Sequence, residues 1–583
     1  MPSRGGSRTA PTVDPMNVAT RNFAGFLIPI LMVAALLRGL FPAADPPTNP
    51  TSGIVWHDEG AWVHNARNNA LFGAWSLDAW NPMYIAPVFT GLEYLSFKTF
   101  GVGVRQARLV PELLGLLSVL LLALGVRRIA GSGAGLIAGA LLATNYPYVM
   151  WNRAALMEGP MIAFLVASWY CYVRAQSHAW WGLLAGTFAL LGFFTKAAAA
   201  FYAAALGADA LIVLGLHIAG RPVDAAQRKA AIMTLIGLAA ASLVALAVFV
   251  VPNWTEYRFY NWQMSVTRKP SYGLGALVDR ASWFPILHDL FTRMWFSVTL
   301  GIAAAAVLLG TWRTASAGER VLGLWIGLGA LELILHDVGN ERRFVLFIPP
   351  LVALSAIVLG SRRALVPATL ATVSRRQALV AAPILLYGLY VIYGSIVRIA
   401  FLYEVSPNVR LAAALAAITT IAMYAMWPRV LAMLSRTIVT PRAAVGLTVI
   451  LVTGHLVQYG QWAVGRTYEN YEASKAVGAA LPPGTLVHGK LANGLSLENQ
   501  IKPVFVGREF GNFEDRKRRD DVRYILTYIA PSVGYESQRT NPVIQDVLDA
   551  YPNRTIIMTF DVAETATGHD RAALIDKFGR EKD

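Results

Sequence analysis

Two carboxylates stand side by side in His57-Asp58-Glu59-Gly60-Ala61, a short way past the first long apolar segment, Phe23–Phe41. Adjacent acids repel, so one of them is raised in pKa unless a cation sits nearby. That arrangement suits a general base beside a neighbour that binds an ion or orients a substrate. In a membrane chain such a pair is costly unless it does chemistry or holds an ion. The same residues could simply open a helix, with Asp58 as its cap and Glu59 in its first turn. His57 could orient Asp58, bind a metal or be a plain polar neighbour. A divalent metal at Asp58 and Glu59 is left open, although a spaced second histidine is missing.

Three other places carry charge where charge needs a reason. Glu158 closes Trp151-Asn152-Arg153-Ala154-Ala155-Leu156-Met157-Glu158 just before an apolar segment. It could be a dipole partner at a helix entrance, an ion pair with Arg153, or part of a site. Lys196 is a single cation between an apolar run and four alanines, so it must snorkel or pair. Arg342 and Arg343 end the polar turn Asp337–Arg343. Guanidinium groups bind phosphate in a fork, but they also serve as interface anchors.

The elements that must position these residues are membrane spans. The 583-residue chain is 55% hydrophobic and 15% charged, with mean hydropathy +0.47. A soluble protein carries roughly a quarter charged residues. Apolar runs near the ~20 residues that cross a bilayer recur through most of the length, giving about thirteen spans. They fall at 23–41, 109–126, 133–149, 160–174, 180–195, 198–216, 230–251, 293–310, 321–336, 344–360, 378–400, 409–427 and 443–463. Phe23–Phe41 is too long and too late for a signal peptide and is read as a retained span. The net charge of +15 reflects basic loops rather than nucleic acid. Cys171 is the only cysteine, so no intrachain disulfide forms.

Lys and Arg in the short connections set the orientation. Arg4, Arg8 and Arg21, then Arg127 and Arg128, then Arg221, Arg228 and Lys229 fall on one side of an odd count. Arg313 and Arg320, Arg362, Arg363, Arg375 and Arg376, and Arg429, Arg436 and Arg442 fall there too. That side is the cytoplasm, with residues 1–22 as a cytoplasmic tail. The opposite side holds loop 42–108 with the acidic pair, loops 150–159 and 252–292, the turn 337–343 and everything after 464. Segments 61–72 and 84–100 read as helices lying in the interface. After the membrane domain, 23–464, residues 465–583 change character. Strand-length runs at Thr485–Leu491, Pro503–Gly507, Val522–Ile529 and Thr555–Val562 alternate with helical stretches near Tyr471–Leu481 and Pro542–Tyr551. That pattern reads as a small extracytoplasmic α/β domain. The charge run Glu514–Arg519 reads as a solvated loop. No internal repeat, nucleotide-binding glycine motif or Cys/His metal cluster is present, which argues against a nucleotide sugar as direct donor.

An acidic pair in the first outer loop, Arg153-x4-Glu158 before span four and Lys196 after span five resemble the GT-C glycosyltransferases. The likeness is to the dolichyl-phosphate-mannose protein mannosyltransferase and aminoarabinose transferase superfamily, and it covers the layout of residues 20–430. The resemblance implies a mainly α, polytopic bundle in the plasma membrane that moves a sugar from a polyprenyl-phosphate donor to a protein, lipid or glycan acceptor. Asp58 would be the catalytic base, supported by Glu59, with Arg153 and Glu158 as the second pair. Lys196 and Arg342 or Arg343 would hold the donor phosphate. Glu158 stands where relatives often have Asp. Trp180-Trp181-Gly182 lacks the rest of the Trp-Trp-Asp-Tyr-Gly motif of oligosaccharyltransferases and lies on the inner side. The Ala/Arg-rich composition leans bacterial. Other classes predict different features. A secondary transporter would place its ionisable groups near mid-bilayer in interrupted helices or repeats. A polysaccharide polymerase or ligase would use basic and histidine residues in large outer loops. A non-catalytic assembly subunit would be indifferent to Asp58→Asn.

Overall fold

Apolar runs become helices because a backbone without water must satisfy its own hydrogen bonds. The computed structural model describes residues 15–47, 56–264, 273–279, 300–336, 341–360, 409–436, 439–505, 518–528, 550–565 and 568–579, with short pieces between. Helix α1 (Pro15–Gly39) is followed by three short helices in the first loop, α2 (His57–Trp62), α3 (His64–Phe72) and α4 (Pro87–Phe100). Then come α5 (Val104–Thr144), α6 (Tyr146–Asn152), α7 (Glu158–Ala175), α8 (Trp181–Thr195), α9 (Ala200–Ile218) and α10 (Ala225–Ala245). Later helices run over Ala317–His336, Ile348–Gly360, Val409–Ala425 and Pro441–Gly465. Among the described residues six helices are long and apolar enough to cross a membrane, and three apolar helices of 10–17 residues accompany them. The expected span 378–400 lies largely outside the described residues, as does the first part of 293–310.

Helix α5 holds two of the expected spans. At Gly131 the backbone takes φ 89° and ψ 175°, a region essentially closed to residues with a Cβ. The chain turns back on itself there. A Cβ on Gly135 would lie 2.7 Å from the Ala123 carbonyl oxygen, so the two arms lie against each other. The second arm stops at Thr144, short of the expected 149. Asn145 leaves the helix and caps α6, its side chain accepting from the Tyr148 amide at 3.0 Å.

Buried polar groups fasten these helices at the end where the loops gather. Arg153 donates to the carbonyls of Leu37, Arg38 and Phe41, closing the C-terminus of α1. Arg38 reaches Asn152 and the Ala143 carbonyl. Toward the other end Arg320 forks onto Asp209, which also accepts from the Tyr172 hydroxyl, joining three helices.

The C-terminal region forms one mixed sheet of β1 (Leu486–His488), β2 (Lys502–Val504), β3 (Tyr524–Tyr528), β4 (Thr555–Thr565) and β5 (Gly568–Asp576). The order is β2-β1-β3-β5-β4. β1 runs parallel to β2 and β3, while β5 is antiparallel to β3 and β4. Helix Glu469–Ala480 packs on the sheet. The first strand is shorter than expected because Gly489, at φ 117°, ends it and a helix Lys490–Gly494 follows. β5 escapes the sequence pattern because Gly-His-Asp-Arg-Ala-Ala carries charge and alanine where a strand signal needs branched residues. Most of Glu514–Arg519 and of Pro542–Tyr551 lies outside the described residues.

Gly131→Ala forces a Cβ into a glycine-only conformation and should cost about 1–3 kcal/mol. A lowered thermal midpoint of the detergent-purified protein, with unchanged helix content by circular dichroism, checks this.

Candidate active site

Helix α2 begins at His57 with Asp58 and Glu59 in its first turn, and no side chain caps it. The two acids diverge to separate arginines. Asp58 Oδ2 accepts from Arg342 Nη1 at 2.5 Å. Glu59 takes a fork from Arg108, with Nε on Oε1 at 2.8 Å and Nη2 on Oε2 at 2.7 Å. Its Oε1 also accepts the Ala155 amide at 2.8 Å. Arg108 continues to the carbonyls of Pro42 and Ala44. Glu59 thus ties α2 to the start of α5 and to the stretch before α7, and both its oxygens are used.

Arg342 is the hub. It is the second residue of the helical turn Glu341–Phe344 that leads into Ile348–Gly360. Its Nε donates to Glu158 Oε1, which also receives Lys196 Nζ. Its guanidinium lies over the Trp62 ring, 5.8 Å from the centroid. Trp62 and Asp58 are one turn apart on α2, which puts both on the same face. Glu158 is the first residue of α7 and Lys196 the residue that ends α8. A loop and three helix ends therefore converge on one point at one end of the bundle.

Exposure separates the roles. The Glu158 side chain is 2% exposed and that of Asp58 25%. Only the latter offers an oxygen to an incoming molecule. His57 Nε2 lies 3.6 Å from Asp58 Oδ1, and the ring is buried against Trp56. Burial pushes the Lys196 ammonium down to about 7. Glu158 pulls it up again, and the nearby Arg342 and Arg343 charges press it down.

The structure brings Asp58, Glu158, Lys196, Arg342 and His57 together, with Arg343 close enough to act on Lys196 by charge. It turns Arg153 away, toward the end of α1 and the Trp462 ring. Helices appear where 61–72 and 84–100 were expected in the interface, but the former is buried in protein. Arg67 in α3 donates to the carbonyls of Ser496, Asn499 and Ile501. Arg108 and Trp62 were missed by sequence reasoning. The signal for Arg108 was its place, since it is a cation on the side that the charge rule leaves poor in arginine. That for Trp62 was its spacing of four from Asp58. Positive charge at the acidic pair comes from arginine. Among the described residues no group of three or more His, Cys, Asp or Glu side chains is placed so that it could hold a metal ion.

Residues 85–254, which include Glu158 and Lys196, match the family model of dolichyl-phosphate-mannose-protein mannosyltransferases. No curated protein sequence matches the chain. ArnT from Cupriavidus metallidurans in the apo state superposes with a TM-score of 0.51 at 15% identity, covering 97% of this chain and 100% of that one. Arabinosyltransferase EmbB from Mycobacterium smegmatis gives 0.44 at 17% identity, covering 78% of this chain and 42% of that one. The Archaeoglobus fulgidus oligosaccharyltransferase tethered with an acceptor peptide gives 0.42 at 12%, covering 87% and 69%. The chain shares its fold with ArnT, and residues 85–254 resemble the mannosyltransferase family. With its long apolar helices it is an integral membrane protein.

Glu59→Gln removes one partner of a buried ion pair and should destabilise the protein by about 3–5 kcal/mol. Asp58→Asn, at a partly open position, should leave the thermal midpoint much closer to wild type. Thermal unfolding of the two purified variants side by side checks the contrast.

Proposed function

We propose that the protein is a membrane glycosyltransferase that moves a sugar from a polyprenyl-phosphate donor to an acceptor hydroxyl or amine on the outer face of the plasma membrane. The observation that carries this reading is the single guanidinium of Arg342 joining Asp58 to Glu158 beside Lys196. It sets a reachable carboxylate next to a cluster of cations at the end of an apolar bundle. The match of residues 85–254 to the mannosyltransferase family model supports it. The orientation in the reading, with thirteen spans, a cytoplasmic N-terminus and the C-terminal domain outside, rests on the arginine distribution of the loops.

In this mechanism the donor phosphate enters as an anion seeking Lys196 and Arg342, with Arg343 adding charge nearby. Its arrival competes for Arg342 and loosens that residue's hold on Asp58, which makes the carboxylate a better base. Asp58 then takes the proton of the acceptor as its oxygen or nitrogen attacks the anomeric carbon. The bond from that carbon to the phosphate oxygen breaks, the configuration inverts, and polyprenyl phosphate leaves. Its growing charge is met by cations already fixed in place by Glu158. Glu59 and Arg153 contribute by holding α2 and α1 in position. Because arginines neutralise the acids, the reading requires no divalent metal at Asp58 and Glu59.

The test is release of polyprenyl phosphate from a panel of labelled polyprenyl-phosphate sugars, with membrane extract supplying acceptors and with EDTA in a parallel arm. One donor should be consumed, with or without EDTA, and Asp58→Asn should slow it by about 10²–10⁴-fold. No release from any donor would move the reading to a transporter or assembly subunit. Rescue of EDTA-treated enzyme by Mn²⁺ or Mg²⁺ would put a metal at the acidic pair.

Lys196 supplies a pH signature. A cation with a pKa near 7 is lost as pH rises through that value, so donor KM should climb above about pH 7, by up to tenfold per unit. Lys196→Arg, which stays charged, should flatten the rise. KM measured between pH 6 and 9 for the two proteins decides it.

A further inference from the structure

The short helix that carries Asp58 has two faces, and the second belongs to the C-terminal domain. Trp56 stands immediately before α2 and is 2% exposed. Its ring is buried in the core of that domain with Val477, Leu491, Leu526 and Leu574. One turn on, Gly60 meets the helix Lys490–Gly494 backbone to backbone. A Cβ on Gly60 would stand 1.8 Å from the Asn493 carbonyl oxygen. The approach is just as close from the other side, where a Cβ on Gly494 would stand 2.6 Å from Trp56 Cζ3 and 2.9 Å from His57 Cα. Further along, the buried guanidinium of Arg67 binds the carbonyls of Ser496, Asn499 and Ile501 at 2.9–3.0 Å. Trp56 and Gly60 thus face the domain, while Asp58 and Trp62 face the cations.

Each set of contacts fixes a different thing. The membrane helices fix Lys196 and Arg342, the groups assigned to the phosphate, and the Glu158 that holds them. They hold α2 through Asp58 and Glu59. From the other side the height and rotation of α2 are set by Trp56, Gly60 and Arg67, which reach past the first loop to side chains and backbone beyond residue 470. Neither glycine has room for a methyl group, so any shift of Lys490–Gly494 is passed directly to the helix bearing Asp58.

We infer that the C-terminal α/β domain is a positioning element of the active site, with the Gly60–Asn493 and Gly494–Trp56 contacts setting where Asp58 stands relative to the donor-phosphate cluster. The inference rests on the assignment of Asp58 as base. It assigns the domain a part in the rate of transfer and none in donor binding.

The experiment uses the full-length protein with Gly60→Ala and Gly494→Ala. It measures kcat and KM with the donor that supports release, and equilibrium binding of undecaprenyl phosphate alone. Misplacing a catalytic group by about 1 Å costs on the order of 10²-fold in rate. Both variants should lose kcat on that scale and have a lowered thermal midpoint, because the new methyl group overpacks the contact, with donor KM and undecaprenyl-phosphate binding at wild-type levels. Adding Trp56→Phe to Gly494→Ala removes the ring edge that the new methyl group strikes and should restore part of kcat. Wild-type kcat in both glycine variants overturns the inference. So does a loss of kcat accompanied by an equal loss of undecaprenyl-phosphate binding. Asp58→Asn, run alongside, separates the two readings, because transfer that survives it sinks the assignment of the base rather than the role of the domain.

Discussion

A guanidinium shared by two carboxylates is the constraint around which this protein is arranged. Taking Arg342, Glu158 and Lys196 out of water is expensive, and the cost is offset only when each charge meets an opposite one in good geometry. Every element that brings them together must therefore end at the same level. Helix α7 has to begin at Glu158, α8 has to end at Lys196, and the helix that follows Arg342 has to start there. Two acids, Glu158 and Asp58, stand against the two cations Arg342 and Lys196, with Asp58 the more open of the acids. An anion that enters therefore competes with Asp58 for Arg342.

The second acid of the pair shows how chemistry and architecture are separated at neighbouring positions. On a helix, successive residues point about 100° apart, so Asp58 and Glu59 cannot serve the same site. Glu59 turns inward to Arg108 and the Ala155 amide. In doing so it fixes the stretch that delivers Glu158 three residues later. The sequence shows two adjacent carboxylates, and the fold makes one a tether and leaves the other accessible.

Much of this was readable beforehand because membranes restrict the options. Helical runs, their polar interruptions and the rise of an α/β tail followed from hydropathy and period. Asp58, Glu158, Lys196 and Arg342 stood out because an ion in apolar surroundings needs a reason. The residues that escaped notice have ordinary signatures. Arg153 looked like a partner for Glu158 by spacing, yet the carbonyls ending α1 claimed it, since those acceptors would otherwise be buried unsatisfied. Gly60 and Gly494 are unremarkable in a chain with many glycines, and only three-dimensional contact reveals that two backbones meet there. Arg67 reads as a surface cation until its three carbonyl partners, more than four hundred residues away, are seen. Local pattern cannot report a contact of that sequence separation.

The seat of Trp56 has a consequence for the order in which the molecule is made. The residue is synthesised near the start of the chain, while the core that receives it is closed by Phe560, Val562 and Leu574 near the end. Most of the membrane domain can insert and pack as it leaves the ribosome, but the helix bearing Asp58 waits with its docking surface unmade. A chain without the sheet would hold Arg342, Glu158 and Lys196 together but leave Asp58 without the seat that Trp56 gives its helix. Damage to β5, far along the chain, would therefore reach the helix bearing Asp58 through the seat of Trp56.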